Sequence, residues 1–104
     1  MKTYKLRFFF DPGSGICLWS ENDLARDRFG YPVELDSLEL ASSVMMQAEE
    51  LIERFDTSID WSYPPAPSPW SDVERERFQV EAAGLFHSLQ ECLGDGFEIR
   101  DCTR

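Results

Sequence analysis

The sequence predicts a two-layer α+β fold for residues 1–104, as a single domain. In it, a small, mostly antiparallel sheet packs against two main helices and one short helix. Three observations predict it: an alternating aromatic stretch opens the chain, two apolar stripes at helical spacing follow, and a short alternating stretch comes after the second stripe. A chain of 104 residues that is 42% hydrophobic and 13% aromatic also holds enough apolar material for one core.

The strands are predicted at the two ends of the chain. Residues 3–10, TYKLRFFF, alternate apolar with polar or basic side chains, as a half-buried strand does. The side chains expected to face the core are Tyr4, Leu6, Phe8 and Phe10. The turn DPGSG at 11–15 and the apolar run ICLW at 16–19 complete a hairpin. A last strand is expected at 97–101, beside the first, and this gives a sheet made of an N-terminal hairpin and a C-terminal strand.

Three helices are predicted between these strands. The first is short, over 20–30, with Ser20 as its expected N-cap. The second, over about 42–55, has apolar residues on one side and glutamates on the other. The third and longest begins after Ser71, where Ser-Asp-Val-Glu forms a capping box, and it ends at the glycines of 94–96.

Charge is the most informative property of the whole chain. Twenty acidic and ten basic residues give a net charge of −10. From Phe29 to Glu74 inclusive there are ten acidic residues and one basic residue, Arg54. Such a field repels phosphate backbones, which argues against direct binding of nucleic acid, and it attracts basic proteins. A solvated acidic surface without any partner has the same composition, so charge alone leaves both interpretations open.

Membrane-spanning and secreted proteins do not fit the sequence. No apolar run approaches the roughly 18 residues that a membrane helix needs. The apolar stretch near the N-terminus ends at Asp11, earlier than in a secretory signal. The three cysteines, Cys17, Cys92 and Cys102, show neither a zinc-site nor a disulfide pattern, so we expect reduced thiols in a cytoplasmic protein.

Catalytic and cofactor sites are not indicated. The single histidine, His87, has no recognisable nucleophile and orienting acid around it. Acid pairs such as Glu49 and Glu53 are typical of solvated helix faces, since no Glu-x-x-His or calcium-loop spacing accompanies them. We therefore predict no catalytic residues, no bound metal and no cofactor.

The proline-rich strap, residues 61–70 with the sequence WSYPPAPSPW, joins the two longer predicted helices. A flexible linker would be rich in Gly and Ser. A PxxP ligand is formally present, but it lacks the basic flank of such ligands. The third interpretation is a stiff segment in which prolines favour polyproline II and tryptophans pack inward. The residues predicted to hold the strap in place are Trp61, Pro64, Pro65 and Trp70.

Partner contact is predicted for the acidic middle of the chain and its exposed aromatic residue. Carboxylates on the second helix would attract a basic partner. A tyrosine is a common interface anchor, because one rigid side chain buries much area at little entropic cost. The residues predicted for partner contact are Glu49, Glu50, Glu53, Asp56, Asp60 and Tyr63.

Two segments carry a resemblance to a known family. The runs LRFFFDPGSGICLWSENDLARDRFGYPVELDSLELA and FDTSIDWSYPPAPSPWSDVERERF resemble small bacterial immunity proteins of polymorphic and contact-dependent growth inhibition toxin systems. The likeness covers about residues 5–80, and the proline-rich segment is its most specific part. It implies a non-enzymatic cytoplasmic protein that binds a cognate toxin domain and blocks its active site or its access to substrate. We expect a monomer outside that complex.

The resemblance also suggests the type of toxin. Many such toxins are nucleases with basic clefts, which an acidic protein can occupy. An acidic adaptor or regulatory domain with no toxin partner remains the alternative. A small hydrolase or metal-dependent enzyme is the weakest interpretation, because no catalytic motif supports it.

Overall fold

The computed structural model describes residues 2–103, so both terminal residues of the predicted domain lie outside it. The helices and strands are, in chain order, β1 (Tyr4–Phe8), β2 (Leu18–Ser20), α1 (Asp23–Phe29), α2 (Ser42–Asp56), α3 (Asp72–Leu93) and β3 (Phe97–Asp101). Short 3-10 turns lie at Leu35–Ser37 and Gly94–Gly96. The predicted α+β class is confirmed. Among the described residues, no helix is both long enough and apolar enough to span a bilayer.

The sheet has three strands in the order β2-β1-β3. β2 runs antiparallel to β1, with Leu6 opposite Ser20, and completes the predicted hairpin. β3 runs parallel to β1, with Tyr4 opposite Phe97 and register maintained to the ends of both strands. The sheet is therefore mixed, whereas the sequence predicted a mostly antiparallel one. The reason is that α3 returns the chain to the end of the sheet where β1 begins, and parallel strands require such a crossover.

The core lies between one face of this sheet and the two long helices. Leu6 and Phe8 of β1 and Ile99 of β3 are buried there. The helix residues that bury against them are Val44, Ala48, Leu51, Phe78, Ala82, Leu85 and Leu89. These are the apolar stripes predicted from helical spacing, so both main helices present the expected face to the sheet.

The start of α1 differs from its prediction. Ser20 was expected to cap the helix, but it is the buried last residue of β2, and its Oγ donates a hydrogen bond to the carbonyl of Gly30 (2.5 Å). Asn22 is the N-cap, because its Oδ1 accepts from the amide of Ala25 (3.0 Å). Both residue types cap helices well, and the pairing of Ser20 with β1 decides between them.

The predicted start of α3 is confirmed. The Oγ of Ser71 accepts a hydrogen bond from the amide of Glu74 (3.1 Å), and the same hydroxyl donates to the Glu74 carboxylate (3.2 Å). Two acidic residues in the first turn, Asp72 and Glu74, also favour the positive end of the helix dipole. The strap therefore ends at a defined position, where α3 begins.

Candidate functional site

The strap connects α2 to α3, as predicted, but it is built from turns. The amide of Tyr63 donates to the carbonyl of Asp60 (3.0 Å), and the amide of Ala66 donates to the carbonyl of Tyr63 (2.9 Å). Pro64 and Pro65 are the two central residues of the second turn. The expected polyproline II conformation is therefore wrong for residues 60–66, because successive i+3 hydrogen bonds close this part of the chain into turns instead of extending it.

The C-terminal end of the strap packs on the core. The ring of Trp70 lies 5.1 Å from that of Phe78 and 6.3 Å from that of Phe55. Its Nε1 donates a hydrogen bond to Oγ1 of Thr57 (2.7 Å), just after the end of α2. Trp70 thus links the end of one helix to the start of the next.

The other end of the strap is held at the hairpin turn. Trp61 is 56% exposed, so the expectation that it packs into the core is wrong. Its Nε1 donates to the carbonyl of Asp56 (2.7 Å), and a Cβ added at Gly13 would lie 3.3 Å from the Trp61 ring. The backbone φ of Gly13 is +81°, a conformation that favours glycine. Trp61 therefore covers the β1–β2 turn.

Asp56, predicted as a partner contact, has a structural hydrogen bond. Its Oδ1 accepts from the amide of Gly13 (2.8 Å), which ties the end of α2 to the hairpin turn. Asp60, just before the strap, accepts from the amide of Ser62 (3.0 Å). Tyr63, by contrast, is 64% exposed. Of these three predicted contacts, Tyr63 presents the largest accessible side chain.

The glutamates of α2 form one part of a larger acidic face. We define this face by five exposed residues from two segments of the chain: Glu34, Asp36, Glu49, Glu50 and Glu53. All of them except Glu50 line a common cavity of about 310 Å³. Sequence reasoning missed the two residues at 34–36, because nothing in the local pattern shows that this segment folds against α2.

Most of the acidic face has no counter-charge. Glu50 lies 3.9 Å from Arg54, but the same guanidinium also pairs with Glu81 of α3. Within residues 2–103, no ion pair involves the other four carboxylates of the face. Their field is therefore open to solvent and to a partner.

The cysteines and the histidine show no arrangement, within the described residues, that favours nucleophilic catalysis or metal binding. All three cysteines are free thiols, and burial raises the pKa of Cys17 to about 12, so it stays protonated and weakly nucleophilic at neutral pH. His87 is exposed on α3, with its ring 5.9 Å from that of Phe86. In the part of the chain that the structure describes, no group of three or more His, Cys, Asp or Glu residues is arranged to hold a metal ion.

A second feature, the arginine groove, was not predicted. It is an open groove of about 650 Å³ between the strap, α3 and the C-terminal ends of β1 and β3. Aromatic rings form its floor: Phe10, Phe55, Trp70 and Phe78. Its rim carries Arg7, Arg75 and Arg100.

The chain matches a known family model over almost its whole length. The model is described as Serratia CdiI immunity protein-like, and it matches residues 5–102. The chain belongs to this family. The match confirms the resemblance and extends it from about residue 80 through the rest of α3 and through β3. The chain is thus a toxin-neutralising immunity protein of contact-dependent growth inhibition, a class that is generally non-enzymatic. A comparison with curated proteins gave no match.

Proposed function

We propose that this immunity protein neutralises its toxin by placing the acidic face against a basic surface of a nuclease-type toxin domain. The toxin's active site is then occupied or shielded from substrate. The observation that carries the proposal is the convergence of exposed carboxylates from α2 and residues 34–36 on one cavity, with no ion pair to four of the five within residues 2–103.

The physical basis is charge complementarity. A nuclease binds phosphates and therefore presents positive charge where its substrate lies. Carboxylates held on a helix and on an adjacent turn present the opposite charge at fixed positions, and the net charge of −10 adds long-range attraction. At physiological salt this attraction extends roughly 8 Å from the surface, which is enough to speed encounter and orient the partner.

The strap adds contacts to this face in the proposal. Tyr63 supplies a rigid exposed ring that can anchor the interface, and Asp60 adds a carboxylate close to it. Asp56 contributes mainly by holding the hairpin turn, through its bond to Gly13. A substitution at Asp56 would therefore disturb folding as well as binding, whereas Glu49, Glu50 and Glu53 can be changed with little effect on the fold.

Three further expectations accompany this proposal. The protein should not bind nucleic acid directly, because the acidic face repels phosphate. We expect a monomer outside the toxin complex. We also expect a cytoplasmic location, where a nuclease toxin meets its substrate.

The proposal is tested by reversing the charge of the face. Glu49→Lys, Glu50→Lys and Glu53→Lys are combined, and association with the cognate toxin domain is measured by surface plasmon resonance. We expect the association rate to fall about tenfold or more at low salt, and its salt dependence to weaken, because electrostatic steering is lost.

A matched control changes the net charge equally at another place. Asp27, Glu91 and Asp95 are exposed and make no ion pair within residues 2–103. The first lies beside the start of β1, and the other two lie at the end of α3. Their combined reversal to lysine should leave association within about twofold, since steering depends on where the charge lies. Equal slowing by both triple variants, or by neither, would refute the proposed face. A toxin domain that forms no complex with the unaltered protein would favour the adaptor alternative.

A further inference from the structure

The floor of the arginine groove is an aromatic cluster held rigidly by the core. The ring of Phe78 lies 5.0 Å from that of Phe10, 5.5 Å from that of Phe55 and 5.1 Å from that of Trp70. These rings come from four segments: the residues just after β1, α2, the strap and α3. Phe78 is 6% exposed, whereas its three neighbours are only partly buried. An apolar side chain that entered the groove would remove this ring surface from water.

The rim reverses the charge of the rest of the chain. Three of the ten basic residues line the groove, and among residues 2–103 none of its lining residues is acidic. Arg7 and Arg100 share the carboxylate of Glu21, at 3.7 Å and 2.5 Å. Two guanidinium groups on one carboxylate leave one positive charge without compensation. The Nε of Arg7 is also buried without a hydrogen-bond partner in the described structure.

These features define what the groove can accept. Fixed rings favour an apolar or aromatic side chain. The one positive charge that Arg7 and Arg100 leave uncompensated favours a carboxylate beside it, since arginine binds carboxylates through paired hydrogen bonds. We propose that the groove is a second contact site for the toxin, and that it receives an apolar side chain with an adjacent carboxylate. This inference rests on the proposed function, because it requires that the toxin is the partner.

The groove and the acidic face are positioned so that one partner can reach both. Trp70 lines the arginine groove and also a neighbouring cleft between α2 and α3. Glu50 of the acidic face lines the same cleft. A partner docked on the face therefore finds the groove along a continuous surface. Two contact sites of opposite charge also admit only one orientation of the partner, which provides specificity that a single acidic patch lacks.

The experiment removes two of the three rim arginines without changing the floor. Arg75→Gln and Arg100→Gln are combined, and the kinetics of toxin binding are measured alongside thermal unfolding. We expect dissociation about tenfold faster with association within about twofold, because short-range contacts to a desolvated charge act on the dissociation rate. The melting temperature should change little, since both side chains are largely exposed.

Two control variants accompany it. Arg26→Gln with Arg28→Gln makes the same change of charge on α1, and Arg26 pairs with Asp23 at i,i+3 as Arg75 pairs with Asp72. This variant should dissociate at the unaltered rate. Arg75→Lys with Arg100→Lys keeps the charge but loses the planar fork, so its dissociation rate should lie between those of the glutamine variant and the unaltered protein.

The outcomes separate the two proposals. Unchanged dissociation of the Arg75→Gln, Arg100→Gln variant overturns the groove as a contact site, even if the glutamate reversals slow association as expected. Faster dissociation of this variant together with unchanged association of the glutamate variant supports the groove and refutes the acidic face. If the glutamine and lysine variants dissociate equally fast, the assignment of a carboxylate to the partner is overturned, because the positive charge that lysine retains then makes no difference.

Discussion

The acidic face and the arginine groove differ in how firmly the fold holds them. The carboxylates of the acidic face project from α2 and from residues 34–36, and four of the five make no ion pair within residues 2–103. The groove has a floor of rings packed on one another and on the core, and each arginine of its rim is paired with an acid of its own chain. The acidic face is exposed to solvent, whereas the arginine groove is built on the packed core.

This difference implies a division of labour. Unpaired exposed charges act over several ångströms and tolerate small errors of position, so they suit the attraction of a partner. Rings fixed by packing and guanidinium groups held by ion pairs act only at contact and require a matching shape, so they suit the retention of a partner once it has docked. The same difference predicts that the two surfaces respond very differently to mutation.

The largest effect is expected in the floor of the groove. Phe78→Ala removes a buried ring that belongs both to the groove and to the core, and it should lower the free energy of unfolding by about 3–5 kcal/mol, as measured by urea denaturation. Val80→Ala, on the same helix but 73% exposed, should change it by less than about 0.5 kcal/mol. A loss of below about 1 kcal/mol for Phe78→Ala would show that the floor is not part of the core.

A smaller effect separates Asp56 from its acidic neighbours. Asp56→Ala removes the acceptor for the amide of Gly13 and should cost about 1–2 kcal/mol of stability, because that hydrogen bond involves a charged group. Glu53→Ala, one turn earlier on α2 and exposed, serves as the control and should be neutral within about 0.5 kcal/mol. If Asp56→Ala and Glu53→Ala changed the free energy of unfolding equally, in thermal or urea unfolding, Asp56 would have no structural role beyond that of the acidic face.

The cap of α3 gives an effect of about the same size or slightly smaller. Ser71→Ala should cost about 1 kcal/mol, because the amide of Glu74 loses its acceptor. Ser62→Ala, at an exposed position near the start of the strap, is the matched control. If Ser62→Ala lowered the free energy of unfolding as much as Ser71→Ala in urea denaturation, the N-cap hydrogen bond at Ser71 would not be a specific source of stability.

The smallest effect is expected on the acidic face itself. Glu49→Gln combined with Glu53→Gln should change the free energy of unfolding by less than about 0.5 kcal/mol, or raise it slightly, because like charges at i,i+4 repel. The same variant should bind the toxin more slowly. If the free energy of unfolding fell by more than about 1 kcal/mol in low-salt urea denaturation, the acidic face would stabilise the fold, and the contrast with the arginine groove would be wrong.

Local patterns account for the parts of the fold that the sequence predicted well. The bounds of β3 at 97–101 and the cap at Ser71 follow from neighbouring residues, and so do the apolar stripes of both long helices. The direction of β3, the role of Ser20 and the position of Trp61 each depend on a contact with a distant segment. Propensity and periodicity contain no information about such contacts, so these details were wrong or missing.

The same limit explains the candidate sites. The three glutamates of α2 were identified because they lie on one helix at helical spacing, but Glu34 and Asp36 join them only through folding. The arginine groove was overlooked because its rings match a core pattern, and its arginines come from β1, α3 and β3. A site assembled from four segments leaves no signal within any one of them.

The parallel pairing of β1 with β3 has a consequence for the time at which protection begins. β1 is translated 93 residues before the strand that pairs with it in parallel, since Tyr4 lies opposite Phe97, so the sheet stays incomplete until Phe97–Asp101 has been made. At about 5–20 residues per second, the ribosome needs several seconds to reach that strand. A newly made molecule can adopt its final shape only after residue 101 has emerged from the exit tunnel. The cell must therefore rely on molecules already completed when a toxin arrives.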